Sequence, residues 1–238
     1  MNLESLLVSQ DAALLEVLRP TLEKMAVDIE LCRDVKPANE ALVKRKFDAV
    51  IVDCDDLPGG GDLLQGLRHS QSNTRSVAFA VLNGKTSTQE AFHAGANFVL
   101  QKPLSPLNAT RCFNAALNFM VMERQRYFRH PVEMTVKIAL PNARELTATS
   151  TNLSEGGMAL RLLGKLPKNA QAKLRFSLPG SNVSLELKGQ IAWADASGCV
   201  GFRFLEVPQS SQYQLDKWLI ARMQKELPDR LRECISRP

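Results

Sequence analysis

The chain has 238 residues, of which 45% are hydrophobic and 23% are charged, a composition typical of a globular protein with one large or two ordinary domains. It contains no run of about 18 apolar residues, which excludes a membrane-spanning helix, and we expect no signal peptide because its first residues lack a basic segment. An odd number of cysteines without a CxxC pair favours free thiols in a reducing cytoplasm over disulfides or a zinc site.

The first half of the chain alternates short apolar runs with helix-like segments. Five runs are predicted to be strands: Ser5–Val8, Val27–Leu31, Ala49–Val52, Val77–Val81 and Phe98–Leu100. Five segments between and after them are predicted to be helices: Ala12–Met25, Ala38–Arg45, Asp62–Arg68, Ser87–His93 and Ser105–Met122. This alternation predicts a parallel sheet covered by helices on both faces. The last helix carries an apolar stripe that would form either core or a homodimer contact: Phe113, Ala116, Leu117 and Met120.

The pattern changes after about residue 123, so we predict two domains, 1–122 and 123–238. Six further runs are predicted to be strands: Pro131–Leu140, Leu146–Asn152, Gly157–Leu162, Ala172–Ser177, Val183–Ala194 and Cys199–Phe204. Their alternation of apolar and polar residues predicts a small antiparallel barrel. We expect Ser211 to cap a last helix, Pro228 to end it and the remaining tail to be loose.

The charge is divided unevenly between the two predicted domains. Residues 1–122 carry 12 Lys/Arg against 14 Asp/Glu, a net charge of −2, whereas residues 123–238 carry 18 against 11, a net charge of +7. This difference favours an anionic ligand or surface for the second domain, although a basic surface without any partner would give the same charge.

Four short segments of the first half follow one another at a recognisable spacing: Asp48–Asp53, Leu57-Pro58, Ala94–Ala96 and Lys102-Pro103. They resemble the receiver domain of response regulators over about residues 1–122. The resemblance implies a flavodoxin-like, doubly wound parallel sheet of five strands. It also implies that Asp53 stands where that family keeps its phosphorylated aspartate, and that Lys102 stands where its lysine contacts the phosphoryl group.

The residues around Asp53 depart from that pattern. Phosphoryl transfer to a carboxylate needs a divalent cation, and Mg²⁺ prefers carboxylate oxygens. Receivers supply an acidic pair after the first strand, but here Ser9 and Gln10 occupy those positions and Asp11 follows one residue late. The sequence therefore favours a domain that is not phosphorylated, with Asp53 and Lys102 as a degenerate site.

Two more departures point the same way. The hydroxyl that the family keeps at the end of the fourth strand is replaced by Ala80 or Val81. The loop from Asp53 to Pro58 is one residue longer than usual, and residues 54–56 in it are the remaining candidates for substitute metal ligands. What remains is a module that binds a protein partner or forms a homodimer. The open alternative is a response regulator that is phosphorylated on Asp53.

Two clusters of the second half carry binding chemistry. Residues 124–129 place Arg124, Arg126 and Arg129 at the domain junction, and residues 152–157 place Asn152, Ser154 and Gly157 between two strands. With residues 189–193 and 198–204, they resemble a PilZ domain over about residues 123–225. The Asn-x-Ser-x-x-Gly element matches the [DN]xSxxG motif of that family in full, so the resemblance implies that these six residues bind cyclic di-GMP.

The residue types suit a cyclic dinucleotide on chemical grounds as well. Arginine can bind guanine O6 and N7 or a phosphate through two hydrogen bonds, and its plane can stack on a base. Asn152 can hydrogen-bond a base edge, Ser154 can donate to a phosphate or a base, and Gly157 permits a close approach of the backbone or a positive φ. We interpret Trp193, Phe202 and Phe204 as barrel core.

One departure from the family concerns its RxxxR motif, which would place an arginine at Gln125 and its second arginine at Arg129. Loss of one charge-assisted hydrogen bond costs about 1.5–3 kcal/mol, or about ten- to hundredfold in affinity. Arg124 or Arg126 can compensate. The alternative is an interaction scaffold whose PilZ-type domain no longer binds the nucleotide.

The sequence therefore predicts a cytoplasmic signalling effector. Cyclic di-GMP would bind the second domain and reorient the receiver-like domain, changing its contacts with a protein partner. No catalytic motif is present, so we expect neither an enzyme nor a cofactor. The three histidines lack partners at metal-ligand spacing, so we expect no metal site. Nucleic acid is not an expected partner, because no recognition-helix motif accompanies the basic charge.

Overall fold

A five-stranded parallel sheet with flanking helices forms the first half of the chain. The computed structural model describes residues 1–141, 145–162 and 169–235. The strands are β1 (Leu3–Val8), β2 (Val27–Cys32), β3 (Ala49–Asp53), β4 (Val77–Leu82) and β5 (Phe98–Gln101). The helices are α1 (Ala12–Lys24), α2 (Val35–Lys44), α3 (Gly60–Leu67), α4 (Thr88–His93) and α5 (Pro106–Tyr127). This architecture confirms the prediction for the first domain.

The strand order in this sheet is β2-β1-β3-β4-β5, and every neighbouring pair is parallel. All residues of β3 and β4 are buried, which is why these strands are almost continuous apolar runs in the sequence. Parallel strands end at the same edge of a sheet. The carboxyl ends of β1, β3 and β5 therefore bring Ser9, Asp53 and Lys102 to one cleft.

Helix α5 continues five residues beyond its predicted end at Met122, to Tyr127. The four residues of its predicted apolar stripe are all buried in the core: Phe113, Ala116, Leu117 and Met120. The homodimer contact suggested for this stripe is therefore corrected, because these side chains have no exposed surface to offer a second copy.

An antiparallel barrel forms the second half of the chain, as predicted. Its strands are β6 (His130–Pro131), β7 (Thr135–Ala139), β8 (Leu146–Ser154), β9 (Gly157–Arg161), β10 (Gln171–Ser177), β11 (Ser184–Ala194) and β12 (Cys199–Glu206). Six strands follow one another in the order β8-β7-β10-β11-β12-β9, and β9 pairs back with β8 to close the barrel. The short strand β6 pairs with the free stretch of β8.

One predicted strand, Pro131–Leu140, is divided into β6 and β7. Between them the hydroxyl of Ser150 on β8 donates to the carbonyl of Val132 and accepts the Met134 amide. The Ser150 hydroxyl thus supplements the backbone hydrogen bonds Val132–Thr151 and Ser150–Met134 at the point where the regular ladder is interrupted.

The helix after the barrel, α6 (Gln209–Glu226), buries the predicted face formed by Leu215, Trp218, Leu219 and Met223. It begins two residues before Ser211, so Ser211 lies inside the helix and is not its cap. The tail prediction is also corrected, since a further helix, α7 (Asp229–Ile235), follows Pro228. The apolar side chains of Leu227 and Leu231 are buried, which stabilises this segment.

The chain divides into two compact units. The first contains Met1–Arg124 together with the C-terminal segment from Leu227, and the second contains Gln125–Glu226. The predicted domain limits of 1–122 and 123–238 remain predictions. Within the described ranges, no helix combines the length and the apolar character that crossing a membrane requires.

Candidate functional site

A cavity of about 440 Å³ lies on the outer side of the barrel. Its floor is a row of four residues that pair across neighbouring strands, namely Asn152, Ala159, Gly201 and Trp193. Strands lie about 4.8 Å apart, so this row spans about 14 Å. The two middle residues are small. The row therefore leaves open space between an amide at one end and an indole at the other.

Asn152 presents a buried hydrogen-bond acceptor to this cavity. It is half-buried on β8, opposite Pro131 of β6, and proline has no amide to donate. The Oδ1 atom of Asn152 accepts no hydrogen bond from any residue within 1–141, 145–162 or 169–235. Buried polar atoms without a partner are rare and costly, so this oxygen is a candidate acceptor for a donor group of a ligand.

The turn between β8 and β9 shapes the cavity wall. Ser154 is buried, and its hydroxyl donates to the carbonyl oxygen of Gly157 at 2.9 Å, which closes the two-residue turn. A β-carbon at Gly157 would lie 2.2 Å from the carbonyl oxygen of Phe202. Gly157 therefore allows the close approach of β9 to β12 and does not serve a positive φ.

Trp193 is not core, contrary to our interpretation of the sequence. Its side chain is 49% exposed and lines the cavity, whereas Phe202 and Phe204 are buried as expected. A bulge between Ile191 and Trp193 shifts the register of β11 against β12. Because the bulge breaks the alternation of β11, Ile191 points into the barrel and Trp193 points out of it.

Two arginines flank the cavity. Arg129 follows α5, and Arg203 lies on β12 opposite Gly157, where one guanidinium nitrogen is 3.2 Å from Oε1 of Gln190. Both side chains are exposed and can therefore reach an anion. Arg203 was quoted in the sequence motif but not predicted as a site residue. Its position between Phe202 and Phe204, which were predicted to lie in the barrel core, was the signal that could have placed it on the outer face.

Three of the predicted site residues line the cavity: Arg129, Asn152 and Gly157. Arg126 is exposed in the last turn of α5 and is not among the described residues of the lining, and neither is Ser154. Their predicted contacts with a ligand remain predictions.

Arg124 is placed elsewhere, and its assignment is corrected. Its side chain is 8% exposed, and its Nε and Nη2 atoms donate to Oδ2 of Asp48 at 3.0 and 2.6 Å. Nη2 also donates to the carbonyl oxygen of Asn2. Asp48 is fully buried ahead of β3, so its charge requires this partner. Arg124 therefore packs within the first unit.

The cleft of the parallel sheet brings Asp53 and Lys102 together. Asp53 is buried at the end of β3, and its Oδ2 atom accepts the Ser9 hydroxyl at 2.7 Å and the Lys102 ammonium at 2.8 Å. Lys102 also lies 2.8 Å from Oδ2 of Asp11 and 2.8 Å from Oδ2 of Asp56. One ammonium thus contacts three carboxylates.

Burial by itself would lower the pKa of Lys102, but the hydrogen bonds to Asp11, Asp53 and Asp56 outweigh it and raise the pKa. The same hydrogen bonds lower the pKa of Asp11 and of Asp56. All of these shifts favour the charged forms. The cleft therefore holds a cluster of ion pairs at neutral pH, in which one ammonium faces three carboxylates and the carboxylates are in excess.

Comparison with known protein families finds a matching family for each half of the chain. The response regulator receiver domain matches residues 6–111, and the PilZ domain matches residues 123–221. The chain is a receiver domain followed by a PilZ domain. This arrangement is that of a signalling protein linked to cyclic di-GMP, and both domains are regulatory rather than catalytic.

Solved structures resemble each domain separately. A putative response regulator from Chloroflexus aurantiacus is 22% identical over 51% of this chain and 99% of its own, with a TM-score of 0.45. The PilZ domain of CeSA from a cellulose-synthesising bacterium is 21% identical over 40% and 98%, with a TM-score of 0.34. The motility inhibitor MotI/DgrA of Bacillus subtilis is 21% identical over 44% and 54%, with a TM-score of 0.39. No curated protein matches the chain.

The receiver domain does not fit the divalent cation that its family implies. Ser9 and Gln10 stand at the positions of the acidic pair, and the Ser9 hydroxyl is already bonded to Asp53. The Lys102 ammonium lies at the point where three carboxylates converge. Within the described part of the chain, no group of three or more His, Cys, Asp or Glu side chains is arranged so that it could hold a metal ion.

Proposed function

We propose that the PilZ domain binds cyclic di-GMP in the barrel cavity and that the protein is a cytoplasmic effector of this second messenger. The observation that carries the proposal is the unpartnered Oδ1 atom of Asn152, a residue that lines the cavity together with Arg129 and Arg203. An acceptor between two cations suits a ligand that presents N–H donors and negative charge together.

Guanine has these properties. Its N1–H and N2–H₂ groups can donate to Asn152 Oδ1, and its O6 and N7 atoms can accept from an arginine. The two phosphodiesters of cyclic di-GMP supply the anionic charge for Arg129 and Arg203. The exposed face of Trp193 offers a surface on which a base can stack, an interaction worth about 1–3 kcal/mol.

The proposed site keeps Gly157 as the wall of the cavity and Arg126 as an outer contact, because Arg126 is exposed and lies three residues before Arg129. Ser154 acts mainly through the turn that its hydroxyl closes. Arg124 is left out, since its charge is bound by Asp48.

We further propose that ligand binding orders the segment after α5 and thereby acts on the receiver domain. Arg129 lies two residues beyond the end of α5, and α5 carries the buried residues Phe113 and Leu117 of the receiver core. Movement of Arg129 towards the ligand would thus be transmitted to α5 and would change how the receiver domain contacts a protein partner.

Isothermal titration of the full chain with cyclic di-GMP tests this proposal. We expect saturable binding that Arg129→Ala weakens about ten- to hundredfold, the worth of one charge-assisted hydrogen bond. Arg175→Ala is the matched control, because Arg175 is an exposed arginine of the same barrel that pairs with Glu186 on β11. Equal affinity of Arg129→Ala and the parent protein would discard the site.

The second candidate is a scaffold that has lost the nucleotide. The feature that favours it is Gln125, which replaces an arginine of the family motif and is not among the described residues that line the cavity. If the parent protein does not bind cyclic di-GMP and Gln125→Arg does, the scaffold explanation is correct.

A further inference from the structure

The receiver domain contains a buried cation of its own. The side chain of Lys102 is only 13% exposed, and its ammonium lies 2.8 Å from one oxygen each of Asp11, Asp53 and Asp56. These carboxylates come from three different places: the N-cap of α1, the end of β3 and the loop before α3. The positive charge at the centre of the cleft is therefore supplied by a side chain of the protein, that of Lys102.

The one-residue insertion after β3 supplies the carboxylate that completes this cluster. Asp56 binds Lys102 and also accepts the side-chain amide of Asn83. Its neighbour Asp55 accepts the backbone amides of Asn83, Lys85 and Thr86, at 2.7, 3.1 and 3.1 Å. The longer loop thus binds the loop after β4 through hydrogen bonds from Asn83, Lys85 and Thr86, and it binds Lys102 after β5.

We propose that the Lys102 ammonium is the resident cation of this cleft, and that the receiver domain consequently takes up neither a divalent metal nor a phosphoryl group. The inference does not depend on nucleotide binding by the PilZ domain and extends the interpretation of Asp53 and Lys102 as a degenerate site. The physical reason is that the ammonium occupies the point where the three carboxylates converge, so a metal would have to displace it or lie against its positive charge.

Titration of the full chain with MgCl₂ or MnCl₂ alone, followed by calorimetry and by thermal melting, tests the inference. The parent protein shows no binding at millimolar metal and no shift in melting temperature beyond that of NaCl at equal ionic strength. Lys102→Met removes the ammonium and leaves three carboxylates around one point. With the ammonium gone the three carboxylates can rearrange around a metal without its repulsion, so this variant binds Mn²⁺ at millimolar concentration, where the parent does not.

Lys85→Met is the control. Lys85 is an exposed lysine that contacts Asp56, whereas the side-chain partners of Asp53 are Ser9 and Lys102. The Lys85→Met variant leaves metal binding absent. If Lys102→Met is too unstable for calorimetry at room temperature, it is purified in the cold and its melting temperature is measured with and without Mn²⁺. The titration of the parent protein tests the inference without any variant.

Mg²⁺ binding by the parent protein, or a gain of mass after incubation with acetyl phosphate and Mg²⁺, overturns the inference. A folded Lys102→Met protein without increased Mn²⁺ affinity overturns it as well. Because these experiments contain no nucleotide, their failure would leave the proposal for the PilZ domain standing, and the reverse holds for the cyclic di-GMP titration.

Discussion

The indole of Trp193 lies against Gly201 on the neighbouring strand of the barrel. A β-carbon at Gly201 would come within 2.1 Å of Nε1 of Trp193, so only glycine permits this arrangement. Since the two residues are also paired in the ladder, the contact fixes the indole over β12 at one end of the cavity. Trp193 is therefore held in place before any ligand arrives, which lowers the entropic cost of stacking a base on it.

Gly201→Ala is expected to displace the indole and to weaken cyclic di-GMP binding about tenfold, towards the loss of one stacking interaction. Titration calorimetry of the variant measures this. Gly66→Ala is the control, because a β-carbon at Gly66 meets no atom within 4 Å. An unchanged affinity of Gly201→Ala would show that the position of Trp193 does not matter to the ligand.

Gly157→Ala is expected to destabilise the PilZ domain by about 1–3 kcal/mol or more, as overpacking does, because the added methyl group overlaps the carbonyl oxygen of Phe202. Chemical denaturation measures the change. Gly156→Ala, one residue earlier in the same turn, places its methyl group in open space and is expected to leave stability within about 0.5 kcal/mol. Equal effects of the two variants would contradict the close approach of β9 to β12.

Arg124→Met is expected to lower the stability of the receiver domain by about 3–5 kcal/mol, because it removes the cation from the buried carboxylate of Asp48, which keeps the backbone amide of Glu4 as a donor. Its affinity for cyclic di-GMP is expected to stay that of the parent protein at a temperature where both are folded. A loss of affinity as large as that of Arg129→Ala would return Arg124 to the ligand site.

The Lys102 cluster predicts opposite pH dependences for the parent and for Lys102→Met. Hydrogen bonds from Lys102 lower the pKa of Asp11 and Asp56, so in the parent these groups stabilise the fold above their ordinary pKa of about 4 and lose that contribution as the pH falls through the lowered values. Without the ammonium the clustered carboxylates repel one another, which raises their pKa. Lys102→Met is then stabilised as the pH falls towards about 4. Melting temperatures of the receiver domain across the acidic range distinguish the two behaviours.

The fold could be predicted because each half has a regular pattern. Five apolar runs separated by amphipathic segments leave few alternatives to a parallel sheet, and alternating strands bounded by turn residues predict a barrel. The residues at which helices and strands begin and end were harder to predict from the sequence. Helix α5 extends to Tyr127 because Arg124 finds a buried partner in Asp48, which is 76 residues away in the sequence and has no local signal.

The candidate site could be predicted only in part, for similar reasons. Arg129, Asn152 and Gly157 were found through their motif. Trp193 was missed because a bulge reverses the direction of side chains on β11, and a period of two cannot reveal where a bulge lies. Asp53 and Lys102 were assigned to one degenerate site, but the contacts of Lys102 with Asp11 and Asp56 were not predicted, since these carboxylates reach it from the ends of different elements.

The most direct test of the account is a fluorescence titration of the Trp218→Phe variant, in which Trp193 is the remaining one of the two tryptophans. Trp218 is buried on α6, whereas Trp193 lines the cavity, so the signal then reports on the proposed site alone. Saturable quenching by cyclic di-GMP, reduced by Asn152→Ala and much weaker with cyclic di-AMP, is the predicted result. An unchanged emission spectrum at saturating cyclic di-GMP, or an equal response to both dinucleotides, would contradict it.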